Sequence, residues 1–360
     1  MTIRQITLEN FRNHVSLRLN PSEKFVIFSG ENGAGKTNIL EAVSLLAPGR
    51  GLRRAALPDM ARENGSGFFG IAAEISEDIQ IGTGTMPDRP ERRKSRVNGA
   101  TVPTNDLAQW ISVLWLTPLM DRLFLEGSSG RRNFLDRLVS ALEPAHARNC
   151  AKYEKARRER NLLLSAEQRP EPRWIDAIDA QLADAGGEII VARQRLITSL
   201  NDHLSAQSES VFAIPNLYLE DQNITDAGHF LHILKENRAA DQAAGRTLKG
   251  PHRCDMRALH RHKQRPAEQC STGEQKAMLF SIILSHAKLV ENNRNIRPIL
   301  LLDEMAAHLD PKRRAALFDR LDQSGSQIWL TGTEAELFSE IHAISAHYHL
   351  NNGSVNIITS

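Results

Sequence analysis

A chain of 360 residues can hold two ordinary domains, or one domain carrying a large insertion, and is long enough to bury a full core. It is 41% hydrophobic and 24% charged, and its 45 Lys plus Arg against 43 Asp plus Glu leave a net charge of +2. That balance excludes a highly basic architectural DNA protein but not a local basic surface. Three cysteines (Cys150, Cys254, Cys270) with no C-x-x-C pair exclude a disulfide framework or a zinc ribbon. With no signal-peptide pattern and no apolar run of membrane length, the expectation is a soluble cytoplasmic protein.

Residues 2–8 place Ile3, Ile6 and Leu8 in near alternation, which predicts a strand, and 24–29 predict a second, more apolar one. A glycine-rich loop, Gly30 to Thr37, precedes helix spacing at Ile39, Val43 and Leu46. Strands are expected within 68–82 and 94–102, with a hairpin turn at Asn98-Gly99, and over 113–116. From Arg131 to about Ala166 the chain reads as helical and charge-rich. Gln168 to Pro172 breaks the helix, and a second one carries a stripe from Ile178 to Leu204. This predicts an antiparallel helical hairpin turning at 168–172, with kinks at Pro144 and Gly186-Gly187. A strand near 216–219, a helix over 275–290 and buried strands at 299–302 and 328–330 follow. The expected domains are 1–130, an inserted lobe 131–215, and 216–360.

Three motifs carry chemistry. Gly30-Glu31-Asn32-Gly33-Ala34-Gly35-Lys36-Thr37 matches G-x-x-x-x-G-K-[ST]. In such a loop backbone N–H groups point at phosphate oxygens, Lys36 supplies a charge for the β- and γ-phosphates, and the Thr37 hydroxyl can ligate Mg²⁺. Ile299 to Leu302 followed by Asp303-Glu304 matches the Walker B pattern, with Asp303 on Mg²⁺ and Glu304 orienting the attacking water. Ser271-Thr272-Gly273-Glu274 opens a helix as a capping box, and such a helix start is also an anion site.

The order of these motifs resembles ABC-type ATPases, with Ser271 and Gly273 in the signature and Asp310 in the segment after Walker B. Thr272 and Glu274 depart from the usual Leu-Ser-Gly-Gly-Gln. Thr331-Gly332-Thr333 stands where many such ATPases carry a switch histidine, and Thr117-Pro118 where they carry a glutamine; both departures imply slow hydrolysis. The resemblance implies that Ser271 and Gly273 reach the γ-phosphate held by a second copy, so that ATP joins two chains. The fold expected is an α/β ATPase head, a mixed sheet flanked by helices, with an inserted, mostly helical lobe.

Further motifs resemble the RecF family of bacterial recombination mediators, a branch of the SMC-like ATPases. They are Leu8 to His14, Gly30 to Glu41, Gly49 to Arg53, Gly130 to Asp136, and Gly250-Pro251-His252-Arg253-Cys254-Asp255. The resemblance implies ATP-dependent binding at single-strand gaps and their junctions with duplex DNA, with RecR, RecO and RecA as partners. It also implies that Arg12 and Asn13 contact nucleotide. Basic patches offer DNA candidates: Arg53 and Arg54; Arg92, Arg93 and Lys94; and Arg253, Arg257, Arg261 and Lys263. Two other readings use the same motifs: a nucleotide-controlled protein scaffold without DNA contact, and the ATPase subunit of a transporter. The long stretch between Thr37 and Ser271 counts against the transporter.

Overall fold

The computed structural model describes residues 1–360 except 76–77, 167–170, 207–211, 221–222, 307–308, 352–353 and 358–360. In chain order, β1 (Ile3–Phe11), β2 (His14–Leu19) and β3 (Phe25–Ser29) precede α1 (Lys36–Ser44) and the short α2 (Leu57–Met60). Then come β4 (Gly70–Ile75), β5 (Ile79–Met86), β6 (Arg89–Val97), β7 (Ala100–Val102) and β8 (Val113–Leu116). The middle holds α3 (Ser128–Leu142), α4 (Ala145–Leu164), α5 (Pro172–Ser205), β9 (Pro215–Glu220), α6 (Ala227–Glu236), α7 (Arg238–Ala244), β10 (Asp255–His260) and β11 (Arg265–Pro266). The chain ends with α8 (Thr272–Arg294), β12 (Ile299–Leu302), α9 (Pro311–Gln323), β13 (Ile328–Gly332), β14 (Ser345–Asn351) and β15 (Ser354–Ile357).

Two compact units divide these elements. The first comprises Met1–Arg122, Glu209–Ala213 and Ser271–Ser360, the second Leu123–Ser208 and Ile214–Cys270. The first unit contains, among the described residues, two six-stranded sheets. One is ordered β15-β14-β3-β13-β12-β8, parallel except for β15. The strands β3, β8, β12 and β13 bury every side chain, as a sheet covered on both faces requires, which is why they read as unbroken apolar runs. The other sheet, β2-β1-β4-β5-β6-β7, is antiparallel. Its inner face (Ile6, Leu8, Ile71, Ala73, Ile81) shares one core with Ile39, Leu40 and Val43 of α1 and Val26, Phe28, Leu301 and Trp329 of the parallel sheet. Each such aliphatic side chain contributes about 1.5–3 kcal/mol through burial. Asn98 (φ 48°) and Gly99 (φ 81°) form the expected tight turn between β6 and β7.

In the second unit α4 and α5 run antiparallel, with Arg160 bonded to Asp179 and Tyr153 packed near Gly186. The hairpin turn expected at 168–172 falls largely outside the described residues. Pro144 separates α3 from α4, whereas Gly186-Gly187 lies inside one continuous α5. There the glycines let α6 approach: an added Cβ at Gly187 would stand 2.5 Å from the Ala227 nitrogen, and one at Gly186 would strike the Phe230 ring. Arg160 has no exposed side-chain surface and bonds Asp179 and Asp241, each at 2.6 Å.

The boundary expected at residue 216 is corrected. Residues 214–270 group with the helices rather than with the head. β9 pairs antiparallel with β10 (Leu217 opposite Ala258), and α6 seats on the α5 glycines, so this stretch finds its partners in the second unit. That unit is therefore helical with a three-stranded sheet, β11-β10-β9.

Candidate functional site

The loop after β3 turns only because of its glycines. Gly30, Gly33 and Gly35 have φ of 141°, 86° and 104°, values that cost other residues about 1–2 kcal/mol each. At Gly35 an added Cβ would also stand 2.5 Å from Asn13 Nδ2. Gly35 is the N-cap of α1 and carries no side chain to satisfy the helix's first N–H groups, so the helix start is open to an anion. Lys36 Nζ folds back to donate to the carbonyls of Gly30 (2.5 Å) and Glu31 (2.9 Å). Burial pushes this ammonium below the usual lysine range, opposed by the charges of Glu304 and Asp303.

The parallel sheet brings the second motif to the same loop. β12 and β3 flank β13, so their C-terminal ends share one rim. Asp303, 5% exposed, follows β12 and donates its N–H to the Leu116 carbonyl of β8 (3.0 Å). Its Oδ1 accepts from the hydroxyls of Thr37 (2.9 Å) and Thr331 (2.7 Å). Among the described residues Asp303 has no ion-pair partner. A buried carboxylate with two hydroxyl donors beside a phosphate loop is a donor set that can hold Mg²⁺. Glu304 adopts φ 52°.

Arg12 and Asn13 lie at this loop. Asn13 Nδ2 donates to the Ala34 carbonyl (3.3 Å), and its Oδ1 accepts from Asn38 (2.7 Å). Arg12 grips Glu41 of α1 through two bonds of 2.8 Å. Arg53, grouped by sequence with DNA candidates, instead donates to Asn38 (2.6 Å) and Glu41 (3.2 Å). The contacts of Glu41 and Thr331 are not legible in the sequence. A lone acid inside a helix pattern, and a threonine inside a buried strand, carry no motif.

The signature segment forms the expected capping box. Ser271 Oγ accepts from the Glu274 N–H (3.4 Å), and the Glu274 carboxylate accepts from Ser271 N–H and hydroxyl, each at 2.9 Å. Asp310 caps α9 by accepting from Arg313 N–H (3.0 Å). Arg313 Nη1 lies 3.4 Å from where a Cβ on Gly273 would stand, so the α8 and α9 starts adjoin. Ala307 and His308, in the segment leading to Asp310, lie outside the described residues.

Of the basic candidates, Arg93 is corrected. Its guanidinium donates to the Leu45, Ala47 and Gly49 carbonyls and to Thr83, closing the C-terminal end of α1. Strand alternation turns it inward while Arg92 faces solvent; Lys94 is half-buried. Arg257 pairs with Glu220, Asp255 and Glu268, and Arg261 donates to Asn216 and the Leu204 carbonyl. Arg54, Arg253 and Lys263 are exposed. Among the described residues no helix is long and apolar enough to cross a membrane.

The family model described as the RecF/RecN/SMC N terminal domain matches residues 2–356. The DNA replication and repair protein RecF of Rhizobium rhizogenes is 45% identical over 368 residues, 98% of this chain and 98% of the relative. Its namesake from Mesorhizobium japonicum is 45% identical over 375 residues, covering 98% and 97%. Among solved structures, the recombination mediator protein RecF with ATPrS in the RecFOR pathway aligns over 99% of this chain and 98% of its own, with a TM-score of 0.87 at 22% identity. An Smc head bound to the C-winged helix domain of ScpA aligns over 99% of this chain and 97% of its own, with a TM-score of 0.54 at 16% identity. These last two likenesses establish the fold, an ABC/SMC-type ATPase head with an insertion. By model match and by identity along its whole length, the chain belongs to the RecF family of DNA replication and repair proteins, within the RecF/RecN/SMC group of ATPases.

Proposed function

We propose that this chain is an ATP-gated DNA clamp of recombinational repair, in which two copies sandwich ATP and slow hydrolysis releases them. The observation that carries the reading is the convergence of an uncapped helix start, Lys36, Thr37, Asp303 and Glu304 on one sheet rim. The loop N–H groups and Lys36 hold the β- and γ-phosphates, with Asn13 and Arg12 beside the loop. Thr37 and Asp303 would hold Mg²⁺, which supplies positive charge against the γ-phosphate oxygens. Glu304 accepts a proton from the water that attacks the γ-phosphorus. The bond from that phosphorus to the β–γ bridging oxygen breaks, and ADP leaves with its electron pair.

Ser271 and Gly273, at the capped start of α8, serve the γ-phosphate of the second copy, and Asp310 lies at the adjoining α9 start. A chain with one phosphate loop and one signature completes its site only by pairing. Slow turnover follows from Thr331-Gly332-Thr333 and Thr117-Pro118 standing where faster ATPases have a histidine and a glutamine. The DNA is gapped or junction DNA, with Arg54, Arg92 and Lys94 as the candidate contacts of the first unit and Arg253 and Lys263 as those of the second, each unit taken by itself, and the protein partners are RecR, RecO and RecA.

The test is fluorescence anisotropy of a labelled gapped duplex titrated with protein, with and without Mg-ATP. Binding tightened by ATP and lost in Lys36→Ala supports the clamp. No binding in either condition replaces it with the scaffold reading, the DNA contact then belonging to a partner.

A further inference from the structure

We infer that Thr331 is a positioning residue of the hydrolysis site: one hydroxyl orients the Walker B aspartate and also fixes the peptide that aims Glu304. The inference rests on the ATPase reading above.

Thr331 lies near the end of β13, the strand between β3 and β12. Leu330 pairs with Leu302 and Thr331 with Phe28, which sets its side chain level with Asp303 at the sheet rim. It is 1% exposed. A hydroxyl has one donor and two acceptor positions. Here the donor goes to Asp303 Oδ1 at 2.7 Å, and an acceptor takes the Glu304 N–H at 2.9 Å. The two acids are thus tied to a single atom on a strand held on both sides.

The second bond matters because of the backbone it fixes. Glu304 sits at φ 52°, a left-handed conformation that an ordinary side chain holds only where its surroundings impose it. Pinning the Glu304 N–H sets the orientation of the peptide that carries the carboxylate. Without the hydroxyl, that N–H would be left without this partner and Asp303 would keep only the Thr37 donor. The parallel order of the sheet is what makes the arrangement available: a strand from late in the chain is inserted between the two strands that carry the motifs. Thr331 acts through Asp303 and Glu304 rather than on nucleotide or attacking water.

The experiment compares wild type, Thr331→Val, Thr331→Ser and Lys36→Ala by steady-state hydrolysis of radiolabelled ATP, nucleotide affinity by calorimetry, and thermal melting. Valine has the same branched shape and fills the same space; serine keeps the hydroxyl. The expected result is a kcat lowered about tenfold or more in Thr331→Val with ATP affinity within about threefold of wild type, and a kcat within about threefold in Thr331→Ser. A wild-type kcat in Thr331→Val overturns the inference. So does an equal loss of activity, affinity and melting temperature in both variants, since that reports packing rather than the hydroxyl. If hydrolysis survives in Lys36→Ala, the ATPase reading itself fails; if it is lost there but intact in Thr331→Val, only the role of Thr331 fails.

Discussion

Arg12 and Glu41 meet in a two-pronged pair, Nε to Oε2 and Nη2 to Oε1, each 2.8 Å long, with the carboxylate wholly buried. The pair ties the end of the first hairpin to the middle of the helix that starts at Lys36. Arg53 reaches the same carboxylate at 3.2 Å, on the Oε2 that Arg12 Nε also meets. One acid therefore holds two guanidiniums beside the phosphate loop.

Glu41→Gln keeps the shape and removes the charge. Both arginines then lose a buried counter-ion, a loss of about 3 kcal/mol where the pair is shielded and less where it meets water. The expected outcome is ATP affinity lower by about tenfold and a melting temperature lower by several degrees. Calorimetry and a thermal melt measure both; an unchanged affinity would show that the corner is only structural.

Glu304→Gln should still bind ATP and should accumulate as a dimer with Mg-ATP, because the base is lost while Lys36, Thr37 and Asp303 remain. Light scattering reads the mass. A monomer in saturating Mg-ATP removes Glu304 from the base role.

Neighbouring residues on β6 should separate by face. Arg93→Ala opens the C-terminal end of α1, where Leu45, Ala47 and Gly49 lose their donor, at about 2–3 kcal/mol of stability. A joint Arg92→Ala, Lys94→Ala change should leave stability within about 0.5 kcal/mol and flatten the salt dependence of DNA binding. Urea titration and anisotropy at several salt concentrations distinguish them. The reverse assignment would place the DNA surface elsewhere.

In the second unit, Arg160→Ala should be severe. Asp179 and Asp241, both buried, are each left without the guanidinium that now bonds them at 2.6 Å. A loss of about 3–5 kcal/mol is expected, read in denaturant unfolding. A loss below about 1 kcal/mol would mean that Arg238, which also pairs with Asp179, suffices alone.

Acid should weaken the protein partly through His347. Burial first, then the charges of His342 and His349, push its pKa down to about 4 from 6.5. Between those values the unfolded chain binds a proton that the folded chain refuses, so stability falls as pH drops from about 6.5 toward 4 and levels off below. Burial lowers His252 of the second unit to about 4 as well. His347→Gln should therefore make the decline of the urea midpoint over this window shallower without abolishing it. An identical slope would show that His347 does not titrate there.

The phosphate loop, the Walker B strand, the capping box at Ser271 and the Asn98-Gly99 turn are all legible along the chain. Each is a local pattern whose residue types carry their own geometry: glycines for positive φ, aliphatics for a doubly covered strand, serine and glutamate for a helix start. The SMC-like plan was legible for the same reason, since it lies in the order and spacing of those motifs. What depends on residues far apart in the chain is settled only when it folds. Folding places Thr331 on Asp303, Arg53 on Glu41 and Arg93 on the carbonyls at the end of α1, and it gives residues 214–270 to the second unit through pairing of β9 with β10. A basic residue reads alike whether it faces phosphate or caps a helix; only strand alternation and the neighbour it meets separate the two. Domain boundaries fail for the same reason, because composition shifts along the chain while long-range pairing sets which core a segment joins.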